Sequence, residues 1–268
     1  MKLNIVDTQR KRIGEQQLPS QFQEAFRPDL IKRAVHALHS AARQAYGAYP
    51  EAGMRHSSTV SKRRRDYRGC YGFGVSRVAR KIHSRRGTRM NWVGTTSPQT
   101  VGGRRSHPPK SQKELTRLIN TKENRKAIRS AMAATVSNLL VSRRGHLVPQ
   151  DYPFILDSRF ESLSKTKDIE QALVGLGFTD ELERCHNTKI NSGRGKRRGR
   201  VRREKRSLLI VVSEQCPLVK AAQNVPGIDV IIVSALNADV LAPGALPGRA
   251  TLWTQKAVEQ VEKENLFI

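Results

Sequence analysis

The chain has 268 residues, enough for one large domain or two small ones, and its formal net charge at pH 7 is +26. Its hydrophobic fraction of 37% is low for a wholly compact protein, and no run of about 18 apolar residues is present that could cross a membrane. Three cysteines, widely spaced and without a CxxC pair, argue against a disulfide framework and a zinc site and fit a reducing cytosol.

Most of the positive charge lies in two short stretches. Residues 62–105 contain 13 Lys or Arg and one acidic residue, Asp66, whereas residues 189–206 contain 10 Lys or Arg and one acidic residue, Glu204. Together these stretches carry 21 of the 26 net positive charges, and residues 207–268 have a net charge of −2. Concentrated charge of this kind repels itself and is stabilised beside a polyanion, whose counterions it releases on binding.

The first elements in the chain are a short strand and a helix. Leu3 and Ile5 predict the opening strand, and a polar, basic turn follows at residues 9–14. Residues 29–45 place apolar side chains at helical spacing, which predicts a helix whose first turn suits Pro28.

Residues 47–110 match no compact element. They include nine glycines and 15 Lys or Arg, and they show no sustained apolar period. A connection of this length inside a compact domain is normally functional or disordered, since most connections have about 4–6 residues. The segment is predicted to be a long extended loop that projects from the domain.

A second helix is predicted to follow the loop. Ser111 and Glu114 form a capping-box pattern, which predicts a helix from residue 111 to about residue 140. The two helices would bracket the loop and pack together at its base.

The remaining sequence has an α/β pattern. Residues 207–212 and 229–233 are continuous apolar runs, as in strands that are covered on both faces. Further strands are predicted at residues 154–156 and 251–253, and helices at 168–176, 216–224 and 255–264. The fold class is therefore α/β: an open, largely parallel sheet with helices on both faces, plus a long extended basic loop inserted between two helices. Residues 1–46 and 111–268 would form the globular domain, with a second basic segment at 187–206.

Arginine, aromatic and glycine residues alternate in the loop, which is typical of RNA binding. Arginine binds phosphate bidentately, aromatic rings stack on unpaired bases, and glycine allows the backbone to approach closely. The predicted RNA-binding residues are Lys62, Arg63, Arg64, Arg65, Tyr67, Arg68, Tyr71, Phe73, Arg85, Arg86, Arg89, Trp92, Arg104, Arg105, His107, Arg194, Lys196, Arg197, Arg198, Arg200, Arg202 and Arg203. The alternatives are a solvated disordered tail that binds nucleic acid weakly and a localisation signal, but a tail would normally be terminal.

Three other patterns are weak candidates for a nucleotide site, a metal site and a catalytic site. The glycines at residues 69–74 lack the GxGxxG spacing of a nucleotide loop. His36 and His39 could share a metal but have no third ligand nearby in sequence. Ser213, Ser234 and Asp239 follow apparent strand ends, where α/β enzymes place their sites, but no paired histidine accompanies them.

The loop sequence resembles the universal fourth protein family of the large ribosomal subunit, in its archaeal and eukaryotic branch. The resemblance covers essentially the whole chain, and its specific marks are residues 56–69, 71–74, 85–89, 102–110, 194–200 and 226–243.

The resemblance implies a structural protein without catalysis, cofactor or metal, located in the large ribosomal subunit in the cytoplasm. It implies a globular domain on the subunit surface and a loop threaded through rRNA, with a tip at residues 76–82 that lines the nascent-peptide tunnel. The tip residues would be Arg77, Val78, Ala79, Arg80 and Lys81, and Ala79 stands where the family often has proline. The implied partners are large-subunit rRNA, the nascent polypeptide and neighbouring ribosomal proteins, without a membrane.

Two other functions remain open at the level of sequence. One is an RNA-modifying or RNA-cleaving enzyme on an α/β fold, which the missing acid/base constellation disfavours. The other is a regulator that binds its own messenger RNA.

Overall fold

A computed structural model describes residues 1–67 and 69–268, so that Arg68, a predicted RNA-binding residue, lies outside the described residues. The chain divides into two compact units. The globular unit comprises Met1–Ala42 and Thr116–Ile268, and the basic unit comprises Arg43–Leu115.

The globular unit has a mixed α/β architecture. Its strands are β1 (Lys2–Val6), β2 (Arg12–Gln17), β5 (Ile155–Leu156), β6 (Lys189–Ile190), β7 (Arg202–Arg203), β8 (Leu209–Val212), β9 (Asp229–Ile232) and β10 (Thr251–Thr254). Its helices are α1 (Pro28–Ala41), α2 (Thr121–Val136), α3 (Asn138–Arg144), α4 (Thr166–Gly175), α5 (Thr179–His186), α6 (Pro217–Ala222), α7 (Ala238–Leu241) and α8 (Gln255–Lys263). The basic unit contributes β3 (Arg80–Arg86) and β4 (Arg89–Gly94).

Six of these strands form one sheet in the order β2-β1-β5-β10-β8-β9. Strand β2 pairs antiparallel with β1, and the other neighbours pair parallel. The prediction of a largely parallel sheet is confirmed.

The sheet is covered on both faces, because successive side chains of each buried strand point to opposite sides. Leu209 and Val211 pack with α1, α2, α7 and α8 in one hydrophobic cluster. Ile210 and Val212 pack in a second cluster with α3, α4 and α6. Because both of its faces are covered, β8 is apolar at every position.

Several predicted elements differ from the structure. Helix α1 ends at Ala41 rather than at the predicted residue 45. The polar, basic turn predicted at residues 9–14 overlaps the edge strand β2, which begins at Arg12. The capping box at Ser111 is wrong: residues 111–120 are not helical, and α2 begins at Thr121. Ser111 cannot open a helix because its backbone packs closely against Gly47. Helix α2 stops at Val136, because Ser137 adopts an extended conformation with ψ 107°.

Helices α1 and α2 pack together, as predicted. Helix α5 and the two-residue strands β6 and β7 were not predicted. No helix among residues 1–67 and 69–268 has both the length and the apolar character that a membrane span needs.

Glu181 on α5 is a buried carboxylate that contacts several polar groups, including one just before β8. Its oxygens accept hydrogen bonds from Arg184 Nε and Nη2 at 2.8 and 2.7 Å, and one lies 2.7 Å from His146 Nδ1. The Leu147 amide and the Ser207 hydroxyl donate at 3.0 Å each. Burial by itself would raise the pKa of Glu181, but the hydrogen bonds from Arg184 and His146 outweigh it and lower the pKa to about 2.

Replacing Glu181 by Gln is expected to lower the free energy of unfolding by about 3–5 kcal/mol at neutral pH, because His146 and Arg184 lose a buried charged partner. The folded-state pKa of about 2 lies below the reference value of 4.5. The stability from this carboxylate is therefore present above pH 4.5 and is lost as the pH falls toward 2.

Denaturant unfolding of both proteins across this pH range measures the difference. The control is Asp180→Asn, which removes an exposed carboxylate of the same helix. The same pH dependence for both variants would contradict a special role for Glu181.

Candidate nucleic-acid interface

The basic unit contains a β-hairpin that the sequence did not predict. Strands β3 and β4 pair antiparallel, with Arg86 opposite Arg89 and Ile82 opposite Trp92, and with an irregularity between Ile82 and Ser84. The hairpin turns through Gly87, whose φ of 59° lies in the left-handed region that glycine adopts without strain.

Like charges face each other across this hairpin. Directly opposed like charges destabilise a strand pair, and a two-stranded hairpin alone is marginally stable in water. Arg85, Arg86, Arg89 and Trp92 are all exposed. An arrangement that is unfavourable in the free protein becomes favourable when an anion lies between or over the arginines.

A tight turn presents the arginine cluster Arg63, Arg64 and Arg65. Asp66, the one acidic residue of the stretch 62–105, accepts a hydrogen bond from Ser61 Oγ at 2.5 Å and one from the Tyr67 amide at 2.9 Å. The Gly69 amide donates to the Asp66 carbonyl at 3.0 Å and closes the turn. Asp66 thus holds the turn, and the neighbouring arginine side chains remain exposed.

The predicted tip, residues 76–82, spans the approach to the hairpin and its first strand. The Arg77 guanidinium lies 4.6 Å from the Tyr71 ring centroid in a cation–π contact. Arg80 donates through Nη2 to Ser76 Oγ at 2.8 Å and through Nη1 to the Val78 carbonyl at 3.3 Å. Ala79 accepts a hydrogen bond from the Thr95 amide at 2.9 Å. Arg77 is therefore the exposed cation of this segment, and Arg80 is partly used to hold it.

The second basic segment forms a small hairpin of its own. Strands β6 and β7 pair antiparallel, and a 3-10 turn at Gly193–Arg198 joins them. Asn191 fixes the turn, since its amide donates to the Val201 carbonyl and its side chain to the Arg200 carbonyl, both at 2.9 Å. All the predicted binding residues of this segment are exposed: Arg194, Lys196, Arg197, Arg198, Arg200, Arg202 and Arg203.

The base of this segment is tied to the sheet. Lys205 Nζ donates to the Arg184 carbonyl at 2.7 Å, and Arg206 Nη1 lies 2.8 and 3.0 Å from the two Asp229 oxygens. The buried Arg249 contacts the same carboxylate at 2.5 Å. Burial lowers the pKa of Arg249, and the attraction to Asp229 opposes that effect. The segment therefore leaves the domain from a fixed point.

The two basic regions differ from the rest of the chain in how their charge is neutralised. Within the described residues, the ion pairs all lie in the globular unit, and no Lys or Arg of residues 43–67, 69–115 or 189–205 takes part in one. The predicted binding residues of the basic unit that the structure describes are exposed, apart from the half-buried Arg104. Their counterions must come from outside the protein.

Comparisons with known proteins identify the family of the chain. The model of the ribosomal protein L4/L1 family matches residues 16–264. The chain belongs to the ribosomal protein L4/L1 family. It is 45% identical over 268 residues to the large ribosomal subunit protein uL4 of Nanoarchaeum equitans, with 100% of both chains covered. It is 43% identical over 260 residues to uL4 of Methanococcoides burtonii, with 97% of each chain covered.

Membership of the ribosomal protein L4/L1 family identifies the chain as a structural component of the large ribosomal subunit, in the cytoplasm with the ribosome, and not an enzyme. Two of the histidine and serine candidates have ordinary structural partners, and His36 is exposed. His39 Nε2 lies 2.9 Å from Asp239, and the Ser213 hydroxyl donates to Glu161 at 3.1 Å. Ser234 is exposed, and Gly72 and Gly74 lie in an exposed bend rather than in a turn between a strand and a helix.

Four residues of the basic unit were missed as interface candidates. Arg43, Tyr46, Lys110 and Lys113 line a cleft together with Arg105 and His107, which were predicted. They flank the ends of the predicted loop, where the sequence was divided between loop and helix. The available signal in the sequence was their residue type, since three of them are basic and one is a tyrosine.

Changing Arg89 to Glu is expected to stabilise the β3–β4 hairpin and to lower the affinity of the protein for RNA. The Arg86–Arg89 repulsion becomes an attraction that stabilises the hairpin by about 0.2–1 kcal/mol. RNA affinity should fall if the predicted phosphate contact of Arg89 exists, because its charge is reversed. Amide hydrogen exchange of residues 80–94 measures the first effect, and RNA titration at fixed salt measures the second.

Lys167→Glu makes the same change of charge at an exposed position of helix α4 and serves as the control. If Arg89→Glu weakened RNA binding no more than Lys167→Glu does, the hairpin would not be part of the interface.

Proposed function

We propose that the protein binds large-subunit rRNA, supports assembly of the subunit and lines the nascent-peptide exit tunnel with residues 77–81. The observation that carries the proposal is the display of exposed Lys and Arg side chains on two hairpins, with no carboxylate in an ion pair with them among the described residues. The proposed partners are large-subunit rRNA, the nascent polypeptide and neighbouring ribosomal proteins.

Both basic regions have the chemistry of a phosphate-binding surface. Residues 43–115 contain 17 Lys or Arg and three acidic residues. Arginine presents paired donors that match phosphate oxygens, and each neutralised phosphate releases condensed counterions. The proposed contacts are those of the predicted residues of both hairpins and of the turn at residues 63–65.

Exposed aromatic rings make the surface suitable for RNA rather than for any polyanion. Tyr67, Tyr71, Phe73 and Trp92 are all exposed, and Phe73 reaches 72%. A solvent-exposed phenylalanine gains stability when a base stacks on it, and unpaired RNA bases are available for such stacking. We therefore place residues 47–110 within folded rRNA, as a segment that RNA surrounds.

The tunnel-lining part of the proposal concerns the segment around Arg77. Its guanidinium stacks on Tyr71 and remains exposed, whereas Arg80 bonds to Ser76 and Val78. Arg77 would present charge to a passing peptide, and Arg80 would hold the local backbone. Ala79 leaves φ at this point less restricted than a proline would.

Changing Arg63, Arg64 and Arg65 together to Gln is expected to flatten the salt dependence of RNA binding. The slope of the logarithm of affinity against the logarithm of salt concentration should fall by up to about two units, because three phosphate contacts are removed. Filter binding of rRNA fragments to the full chain across a salt series measures the slope.

The control changes Lys165, Lys167 and Lys220 to Gln, three exposed lysines of the globular unit. It removes the same total charge. Equal slopes for the two triple variants would show that net charge, rather than the turn at residues 63–65, determines binding.

A photoreactive residue at position 77 is expected to crosslink to the nascent chain and to large-subunit rRNA in translating ribosomes. The reason is that the side chain at this position is exposed and lies beside residues that hold the segment in place. Crosslinks are identified by mass spectrometry after a stalled peptide is labelled.

The control places the same residue at position 197, in the exposed turn of the second basic segment. It should reach rRNA and never the nascent chain. Crosslinks from position 77 to rRNA alone would remove the tunnel-lining part of the proposal and leave the structural part.

A further inference from the structure

A cleft inside the basic unit has the size and lining of a nucleotide site. Its volume is about 680 Å³, within the range of about 300–1,000 Å³ that is usual for small-molecule sites. It is lined by residues of two stretches of the unit, 43–46 and 105–115. The described residues that line it include no Asp or Glu.

The lining combines the two chemical groups that a nucleotide needs. Arg43, Arg105, Lys110 and Lys113 supply positive charge, and His107 lies among them. Tyr46 supplies a ring that is 60% exposed, and Pro108 and Pro109 supply apolar surface. Cations bind the phosphate, and the ring and prolines bind the faces of the base.

The cleft is built by a close crossing of the chain. The Ala48 amide donates to the Pro109 carbonyl at 2.9 Å, and the Lys113 amide to the Lys110 carbonyl at 3.2 Å. A Cβ at position 47 would lie well inside van der Waals contact of the Ser111 backbone nitrogen. Gly47 is therefore required for the two stretches to approach as they do.

We propose that this cleft holds one unpaired nucleotide of RNA, with its base stacked on Tyr46 and its phosphate bound by the surrounding Arg and Lys side chains. This inference rests on the proposed RNA-binding function and adds a specific subsite to it. A base that is paired within a helix has both faces covered by its stacked neighbours, so it cannot stack on this ring. The site therefore selects single-stranded RNA or a base that is turned out of a duplex.

The test is photocrosslinking of the full chain to a short single-stranded RNA that carries one thiouridine. The same RNA annealed to its complement is the second probe. Crosslinks to residues 43–46 are expected with the single strand and not with the duplex. Changing Tyr46 to Ala should lower this yield about fivefold or more, since stacking on an aromatic ring contributes on that scale.

Three further variants make the result specific. Tyr46→Phe keeps the ring and should keep the crosslink. Tyr49→Ala removes a neighbouring exposed tyrosine that does not line the cleft, and it should leave the yield unchanged. Gly47→Ala changes no lining residue and should lower the yield, because the chain crossing is forced apart.

Equal yields from Tyr46→Ala and Tyr49→Ala would overturn the inference, as would equal crosslinking of single strand and duplex. If the unchanged protein binds RNA with a steep salt dependence and Tyr46→Ala has no effect, only the nucleotide site is wrong. If the unchanged protein shows no salt-dependent RNA binding, the proposed function fails together with the site.

Discussion

Positive charge without an internal counterion is the constraint on which the rest of this structure depends. Arg86 stands opposite Arg89 in the basic unit, and the one acid of residues 62–105 is bound by Ser61 and the Tyr67 amide. Such an arrangement is unfavourable in the free protein, because opposed like charges destabilise a strand pair. In the globular unit, basic residues have counterions within the protein, since Asp229 contacts both Arg206 and the buried Arg249. The chain therefore separates charged residues that are paired within the protein from basic residues whose charge the described part of the protein leaves unpaired, as the proposed polyanion binding requires.

Anchoring makes this separation useful. A charged segment that is freely mobile must lose backbone and side-chain entropy when it binds, and that loss reduces affinity. Here the second basic segment leaves the sheet between Lys205, which bonds to the Arg184 carbonyl, and Ser207, which contacts the buried Glu181. Its turn is held by Asn191. The charged side chains are thus presented from a backbone that is held by hydrogen bonds, so the proposed RNA contacts would restrict side-chain motion more than chain motion.

The sequence allowed prediction of those parts of the fold that depend on local pattern. Continuous apolar runs predicted β8 and β9, because a parallel strand covered on both faces is apolar at each position. The hairpin of β3 and β4 was missed because its side chains are mostly exposed, and no alternation of apolar and polar residues marks it. The capping box at Ser111 was misleading because a tertiary contact with Gly47 overrides it. The pairing of Glu181 with His146 joins residues far apart in sequence, and no local pattern could show it. Arg and Tyr residues of the candidate site were predictable by type, whereas the cleft around Tyr46 required the chain crossing.

The crossing also bears on how the basic unit becomes ordered. Closing a free loop of about 60 residues would be opposed by roughly 3–4 kcal/mol of chain entropy, but the packing of α1 on α2 already brings the ends of this segment together. The hydrogen bond from the Ala48 amide to the Pro109 carbonyl then contributes about 0.5–1.5 kcal/mol to the crossing. The close packing of Gly47 on Ser111 also stabilises the crossing. A ligand that binds only the closed crossing stabilises it further, by an amount that grows with ligand concentration relative to its dissociation constant. A nucleotide in the cleft beside Tyr46 would act in this way, so RNA binding at the base of the unit and ordering of the segment beyond it would favour each other.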